Sequence, residues 1–306
     1  MRDFEDVQLD LEKSLWDELL KNEKISSHLD QLDRGKKPAS HRKRHLSERV
    51  KINESILPQL EKILSDIIDR LDINRSIEPY VESSPKFNAR VQSGDENLYL
   101  VLHSSVIEKL STDEIEYLIG HELGHVIFNH HDLPIRSILE EGPDLNAETI
   151  FKLFSWERAK EITADRMGLI CSNSLEVSCS SQFKITSGLS GNEVSLQPEK
   201  FANQFTSLKE EIWDHGSEEM VTMTHPLPPM RVKALIEFAR SPLFEGTTES
   251  LSDDDEISIE ECDEKIVRLL SYMDPHLTDG QEGIDPKFTP LYLWGGLYVS
   301  LADDEI

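Results

Sequence analysis

The chain has 306 residues, enough to bury a core and an enclosed site without disulfide staples. Its 32 Lys and Arg face 59 Asp and Glu, and a formal charge of -27 argues against a nucleic-acid-binding protein or one that docks on anionic membrane. Three cysteines, Cys171, Cys179 and Cys262, form no CxxC pair and are too few to frame disulfides, so a reducing compartment, the cytoplasm, is expected.

Residues 4–31 place Leu9, Leu11, Leu15, Trp16, Leu19 and Leu20 among charges, the pattern of an amphipathic surface helix. This acidic start lacks the basic-then-apolar order of a secretion signal. No stretch reaches the roughly eighteen apolar residues that spanning a bilayer requires, so no transmembrane segment is expected. From Arg34 to Arg49 runs a basic island broken by Gly35 and Pro38, read as a solvated connector; docking of an acidic partner, or of the chain's own acidic tail, is the alternative. Residues 54–73 carry Leu60, Ile63, Leu64, Ile67, Ile68 and Leu71 at helical spacing and predict a core helix. A Gly94-Asp95 turn then leads into a short strand around Tyr99 to Val101.

Ser111 and Glu114 have the spacing of a capping box, which predicts a helix running through Ile115, Leu118, Ile119, Leu123, Val126 and Ile127. A second long helical pattern covers 146–172 and a third 228–240. The stretch 173–198 gives no clear reading. The tract 246–264 is acidic and poor in aromatics, the composition of a mobile linker, followed by a short helix around 264–272 and an apolar stretch from Leu291. The expected division is therefore an N-terminal helix and basic linker over 1–53, a catalytic domain over 54–245, and an acidic linker with a C-terminal helical segment over 246–306.

The chemistry lies on the Ser111-capped helix. Residues four apart share a helical face, so His121 and His125 can aim imidazole nitrogens at one ion, while Glu122, rotated by about 100° from His121, sits close without being forced to bind. Catalytic zinc sites use three protein ligands and leave a fourth position open, so a third ligand must come from elsewhere. The second helix offers Glu161 with Asp165 one turn later: Glu161 to complete the ligand set, Asp165 to accept the other ring N–H of a ligating histidine. The plainer reading makes these two carboxylates a solvated acidic face, against which Ala164 and Gly168 speak. Gly124, between the ligands, gives room for close packing or substrate approach. His130 and His131 follow the helix, where a cation near the C-terminal dipole is ordinary. His103, ending a strand, and the unpaired His28, His41, His45, His215 and His276 get no role, and Phe154 and Trp156 read as core.

The segments GHELGH (120–125), ERAKEITADRMG (157–168) and THPLPPMR (224–231), in this order, resemble the CAAX prenyl protease/HtpX-like family of zinc metallopeptidases, over about 54–240. With no transmembrane pattern, the sequence resembles that family's soluble bacterial branch. The resemblance implies an α+β, mainly helical zincin-like catalytic domain with a small sheet beside the zinc helix. It implies one zinc on His121, His125 and Glu161, with Glu122 as general base. His225, which alone reads as a His-Pro turn, is then placed near the developing oxyanion, with Arg231 bracing its loop through a carboxylate. Asn88, Ala89 and Leu100 are the expected substrate contacts, the last on a strand, Asn97 to Val101, whose short length and flanking turns read as a sheet edge. The expected activity is metalloendopeptidase hydrolysis of extended or unfolded polypeptide. A deformylase-like amidase needs a Glu-Gly-Cys segment that does not occur, and a degenerate zinc scaffold or chaperone-like binder would not require Glu122. The end of the sequence, WGGLYVSLADDEI, faintly resembles the opening of a TerB-like helical module.

Overall fold

A computed structural model describes residues 4–35, 41–94, 97–190, 197–215, 220–248, 251 and 256–274. The chain opens with α1 (Asp10–Lys21), α2 (Glu23–Gly35), α3 (His41–Glu48), β1 (Val50–Lys51) and α4 (Pro58–Arg70). A sheet segment follows, with β2 (Ser76–Glu82), β3 (Ala89–Ser93) and β4 (Asn97–His103), then α5 (Ser104–Lys109), α6 (Thr112–Ile127), α7 (Ile135–Glu140) and α8 (Ala147–Ser172). The rest is helical: α9 (Leu175–Ser187), α10 (Pro198–His215), α11 (Pro228–Ala239) and α12 (Ile259–Leu270). The fold is α+β and mainly helical with one four-stranded mixed sheet, as expected.

Two helices organise it. α6 begins at a complete capping box in which Ser111 and Glu114 satisfy each other's backbone N–H groups, and α8 begins at Asn146, whose side chain accepts from Thr149 N–H. The two pack along each other, and small residues let their axes approach. A methyl group at Gly168 would lie 2.8 Å from the Tyr117 carbonyl oxygen, and one at Gly120 would lie 2.5 Å from Cys171 Cβ. Gly124 likewise faces Met167 and Ala164, so its role is close packing. Leu118, Ile119, Leu123, Ile162, Met167 and Leu169 join the main core here, each contributing about 1.5–3 kcal/mol by burial.

The strand order is β1-β2-β4-β3, with β2 and β4 parallel and the other pairs antiparallel. This corrects the edge assignment: β4 lies between β2 and β3, and Leu100 is wholly buried within it. Its run of apolar residues, LYLVL, fits a strand covered on both faces, which flanking turn residues alone did not reveal. The edge beside α6 is β3.

Composition misread three other segments. The N-terminal stretch breaks at Asn22 into α1 and α2, and Leu15, Leu19 and Ile25 enter a second core with Leu133, Ile138 and Trp156. The basic island contains α3, whose His45 stacks on Tyr80 and Tyr99 of the sheet while Arg42 and Arg49 pair with Glu78 and Glu82. The short helix expected around 264–272 is α12, which begins earlier, at Ile259 inside the acidic tract, and buries Cys262, Ile266 and Leu270 against the main core. The stretch 173–198, opaque in sequence, holds α9, closed by Gly188 in the left-handed region at φ 71. The apolar stretch from Leu291 and the TerB-like resemblance lie outside the described residues.

Gly168→Ala tests the helix approach. Helix propensity alone would stabilise it by about 1 kcal/mol, but overpacking on the Tyr117 backbone is expected to give a net loss of about 1–3 kcal/mol in urea unfolding. A more stable variant would contradict the packing described.

Candidate metal centre

On α6 the one-turn spacing turns His121 and His125 to the same side, with their Nε2 atoms 3.3 Å apart. Glu161, from the middle of α8, offers one carboxylate oxygen to each, both at 3.5 Å. These three donors lie within 4.8 Å of one another and are all buried, the only such cluster of metal-ligating side chains among the described residues.

Each imidazole is held from behind. His121 Nδ1 donates to Asp165 Oδ1 at 3.0 Å, and His125 Nδ1 lies 2.7 Å from His130 Nδ1. With His121 Nδ1 donating to Asp165, its Nε2, that of His125 and the Glu161 carboxylate converge on one point. A small cation resolves that convergence, and two neutral imidazoles with one carboxylate is a donor set that suits zinc.

Asp165 is among the most constrained side chains of the molecule. Besides His121 it accepts from Tyr117 Oη at 2.7 Å, Gln182 Nε2 at 2.8 Å, and Arg231 through Nε at 2.8 Å and Nη2 at 2.6 Å. The carboxylate that Arg231 braces is thus Asp165, which ties α11 to α8. Burial pushes the Asp165 carboxyl up, but Arg231 and His121 outweigh it and hold the group well below the ordinary range. Glu161 behaves alike: His225, His121 and Arg231 overcome desolvation and bring it down to about 2. His125, whose burial is reinforced by His121 and His130, lies well below the usual histidine value and is held neutral, the state a ligand needs.

Glu122 is different. Desolvation lifts it to about 7, with Glu161 adding to the rise and His121 and the Val91 N–H opposing it. That N–H donates to Glu122 Oε2 at 3.1 Å, so the carboxylate is anchored to edge strand β3 rather than to a cation. His225 sits at the mouth of the site, largely exposed, with Nε2 3.8 Å from Glu161. The donors open into a cavity of about 700 Å³ whose walls include Asn88, Ala89, Leu118, Ile185, Gly188 and His225. Leu100 is not among its lining residues, which removes it as a substrate contact.

Several residues here had no role in the sequence reading. Tyr117 stands one turn before His121, a spacing that could have flagged it. Gln182 and Arg158 carry no motif. Arg158, one turn before Glu161, donates to the carbonyls of Val221 and Met223 and to Asp274, pinning the strap that leads to His225. His103, set aside as a strand end, holds the Lys86 carbonyl from Nδ1 at 3.0 Å and so shapes the cavity wall. His130, read as an ordinary C-terminal cation, is buried against His125.

The sequence profile of Peptidase family M48 matches residues 57–239, which include all three donors, Glu122, Asp165 and His225. The chain belongs to Peptidase family M48. It is 27% identical over 207 residues to a plastoglobule-localized metallopeptidase 48 of Arabidopsis thaliana, covering 63% of this chain and 60% of that protein. It is 30% identical over 76 residues to a Protease HtpX homolog of Helicobacter pylori, 24% of each chain. The chain thus spans 60% of the length of the first relative and 24% of the second. M48 membership implies a metal, usually zinc, and agrees with the resemblance read from the sequence. No helix among the described residues is long and apolar enough to cross a membrane.

The Arg231–Asp165 pair gives a direct stability test. Arg231→Met leaves a buried carboxylate short of its main partner and is expected to cost about 3–5 kcal/mol in urea unfolding. Adding Asp165→Asn should recover part of that loss; strictly additive losses would show that the two side chains do not act on each other.

Proposed function

We propose that the chain is a zinc-dependent metalloendopeptidase acting on extended or unfolded polypeptide. One observation carries the reading: two histidines and a glutamate converge from α6 and α8 at the floor of a cavity in which Glu122 stands beside them, tied to β3. In this reading His121, His125 and Glu161 hold one zinc, Asp165 fixes His121, and Arg231 neutralises Asp165. Zinc, when bound, supplies Lewis acidity and lowers the pKa of water to about 7. Glu122 takes the proton of the attacking water and returns it to the leaving amine. His225, at the cavity mouth, donates to the carbonyl oxygen as it gains charge.

Substrate is held by β3 rather than by β4. In an antiparallel pair hydrogen-bonded residues alternate, and Asn88 and Gly94 bond to β4. Ala89, Val91 and Ser93 therefore turn their backbone groups to the outer edge, where Glu122 takes the Val91 N–H and the others are left to a peptide. An extended peptide laid along that edge gains main-chain hydrogen bonds with modest dependence on sequence, and well-folded proteins are excluded. Asn88 and Ala89 remain substrate contacts. Buried, unpaired thiols at Cys171, Cys179 and Cys262 support a reducing, cytoplasmic setting.

Metal analysis and casein hydrolysis on three proteins test the reading. Wild type is expected to bind one zinc per chain and cleave; Glu122→Gln to keep the zinc and lose cleavage; Glu161→Ala to lose the zinc. Equal zinc in both variants would overturn the ligand assignment, and undiminished cleavage by Glu122→Gln would remove it as the base. A zinc-binding scaffold would bind metal in wild type and cleave nothing.

Ala89→Pro removes one outward donor at the first residue of an edge strand, where proline is tolerated. Hydrolysis of casein is expected to fall about tenfold or more, by the loss of about 1.5 kcal/mol of main-chain binding, with zinc content unchanged. Full activity in the folded variant would place the peptide elsewhere.

A further inference from the structure

Behind His125 stands the His130 imidazole, where His121 has the Asp165 carboxylate. The carboxylate behind that imidazole, Glu12, comes from outside residues 57–239, which the family profile matches. α6 ends at Phe128, and Asn129, in the left-handed region at φ 55, folds the chain back so that a short 3-10 turn over His130–Asp132 meets its last turn. Asparagine adopts this conformation at little cost. His130 is thereby buried, stacked on Phe128 and edge-on to Trp156. Its Nδ1 faces His125 Nδ1 at 2.7 Å, and its Nε2 lies 3.0 Å from Glu12 Oε1.

Glu12 is a wholly buried carboxylate on α1, far from the metal ligands in sequence. Its Oε1 also accepts from Gln8 Nε2 at 2.6 Å, while Oε2 has no partner. α1 is held on α8 by independent contacts, since Leu9 N–H donates to Thr163 Oγ1 at 3.1 Å and Arg166 donates to the Val7 carbonyl at 3.0 Å. A buried carboxylate on an otherwise apolar helix face is costly, so its placement against one imidazole needs a reason beyond packing.

We propose that Glu12 and His130 are positioning residues for His125, forming with it a Glu12–His130–His125 relay that the N-terminal helix completes. The Glu12 carboxylate accepts, so His130 carries its proton on Nε2 and presents a bare Nδ1. That nitrogen accepts from His125 Nδ1–H, and the His125 Nε2 lone pair is left facing His121 Nε2 and Glu161. The two metal-binding histidines are thus oriented by different devices: a direct carboxylate for His121, a carboxylate acting through a second imidazole for His125. This inference rests on the assignment of His125 as a metal ligand, and its test separates the two.

The experiment uses Glu12→Gln, His130→Phe and the double variant of the full chain, with zinc affinity measured by competition with a chromophoric chelator. His130→Phe keeps the ring packing and is expected to weaken zinc about 10–100-fold, the usual effect of losing a partner behind a ligand. Glu12→Gln should weaken it several-fold, and the double variant should match His130→Phe alone, because Glu12 acts only through His130. In the metal-free protein, histidine ring 15N shifts should report His125 protonated on Nδ1 in wild type and a mixture of tautomers in His130→Phe, a readout that mere packing would not move. Should His130→Phe not fold, Glu12→Gln alone carries the affinity and tautomer tests. Unchanged zinc affinity and tautomer in folded variants, or additive losses, would overturn the relay while leaving the metal centre standing. Wild type that binds no zinc, or binds it unaffected by Glu161→Ala, would overturn the metal centre and the relay with it.

Discussion

A carboxylate taken out of water costs several kcal/mol unless charge and hydrogen bonds replace its hydration, and Asp165, buried on α8, is under that constraint. Four elements meet to satisfy it. The residue stands on α8; Tyr117 and His121 reach it from α6, Gln182 from α9 and Arg231 from α11. Because the same carboxylate orients His121, the requirement that assembles these helices also fixes one imidazole of the proposed metal site. Stability and chemistry share one set of contacts here, and a change to either disturbs both.

The rest of the centre follows from how closely α6 and α8 can approach. Gly120 and Gly168 leave no room for a β-carbon between the two helices, and Glu161 stands at the same distance from both histidines. Segments flanking the matched region then brace α8 from outside. Asp263 of α12 accepts from Arg166 and from the backbone N–H of Asp10, Asp274 accepts from Arg158, and Glu12 of α1 reaches His130. Segments that composition would assign to tails and linkers are thus packed parts of the fold.

The sequence made legible whatever local geometry dictates. The capping box at Ser111, the four-residue spacing of His121 and His125, and the same spacing of Glu161 and Asp165 are properties of single helices, and all appear in the structure where expected. Long-range pairings were hidden. Glu12 and His130 are 118 positions apart, and nothing within either segment announces the other. β4 was misplaced because edge or interior position depends on which strands flank it, and its continuous apolar run was the signal that should have outweighed the turn residues beside it. α3 and the first turns of α12 read as connector because charge counts do not register that a few side chains, His45 in one and Cys262 in the other, are enough to dock a short helix.

The central claim is that one zinc is held by two imidazoles and one carboxylate, and X-ray absorption at the zinc edge of the loaded chain tests it most directly. The account predicts a first shell of nitrogen and oxygen near about 2.0–2.2 Å, with imidazole outer-shell scattering that corresponds to two histidines and falls to one in His125→Ala. A sulfur shell at about 2.3 Å, or imidazole scattering that is indifferent to His125, would contradict it.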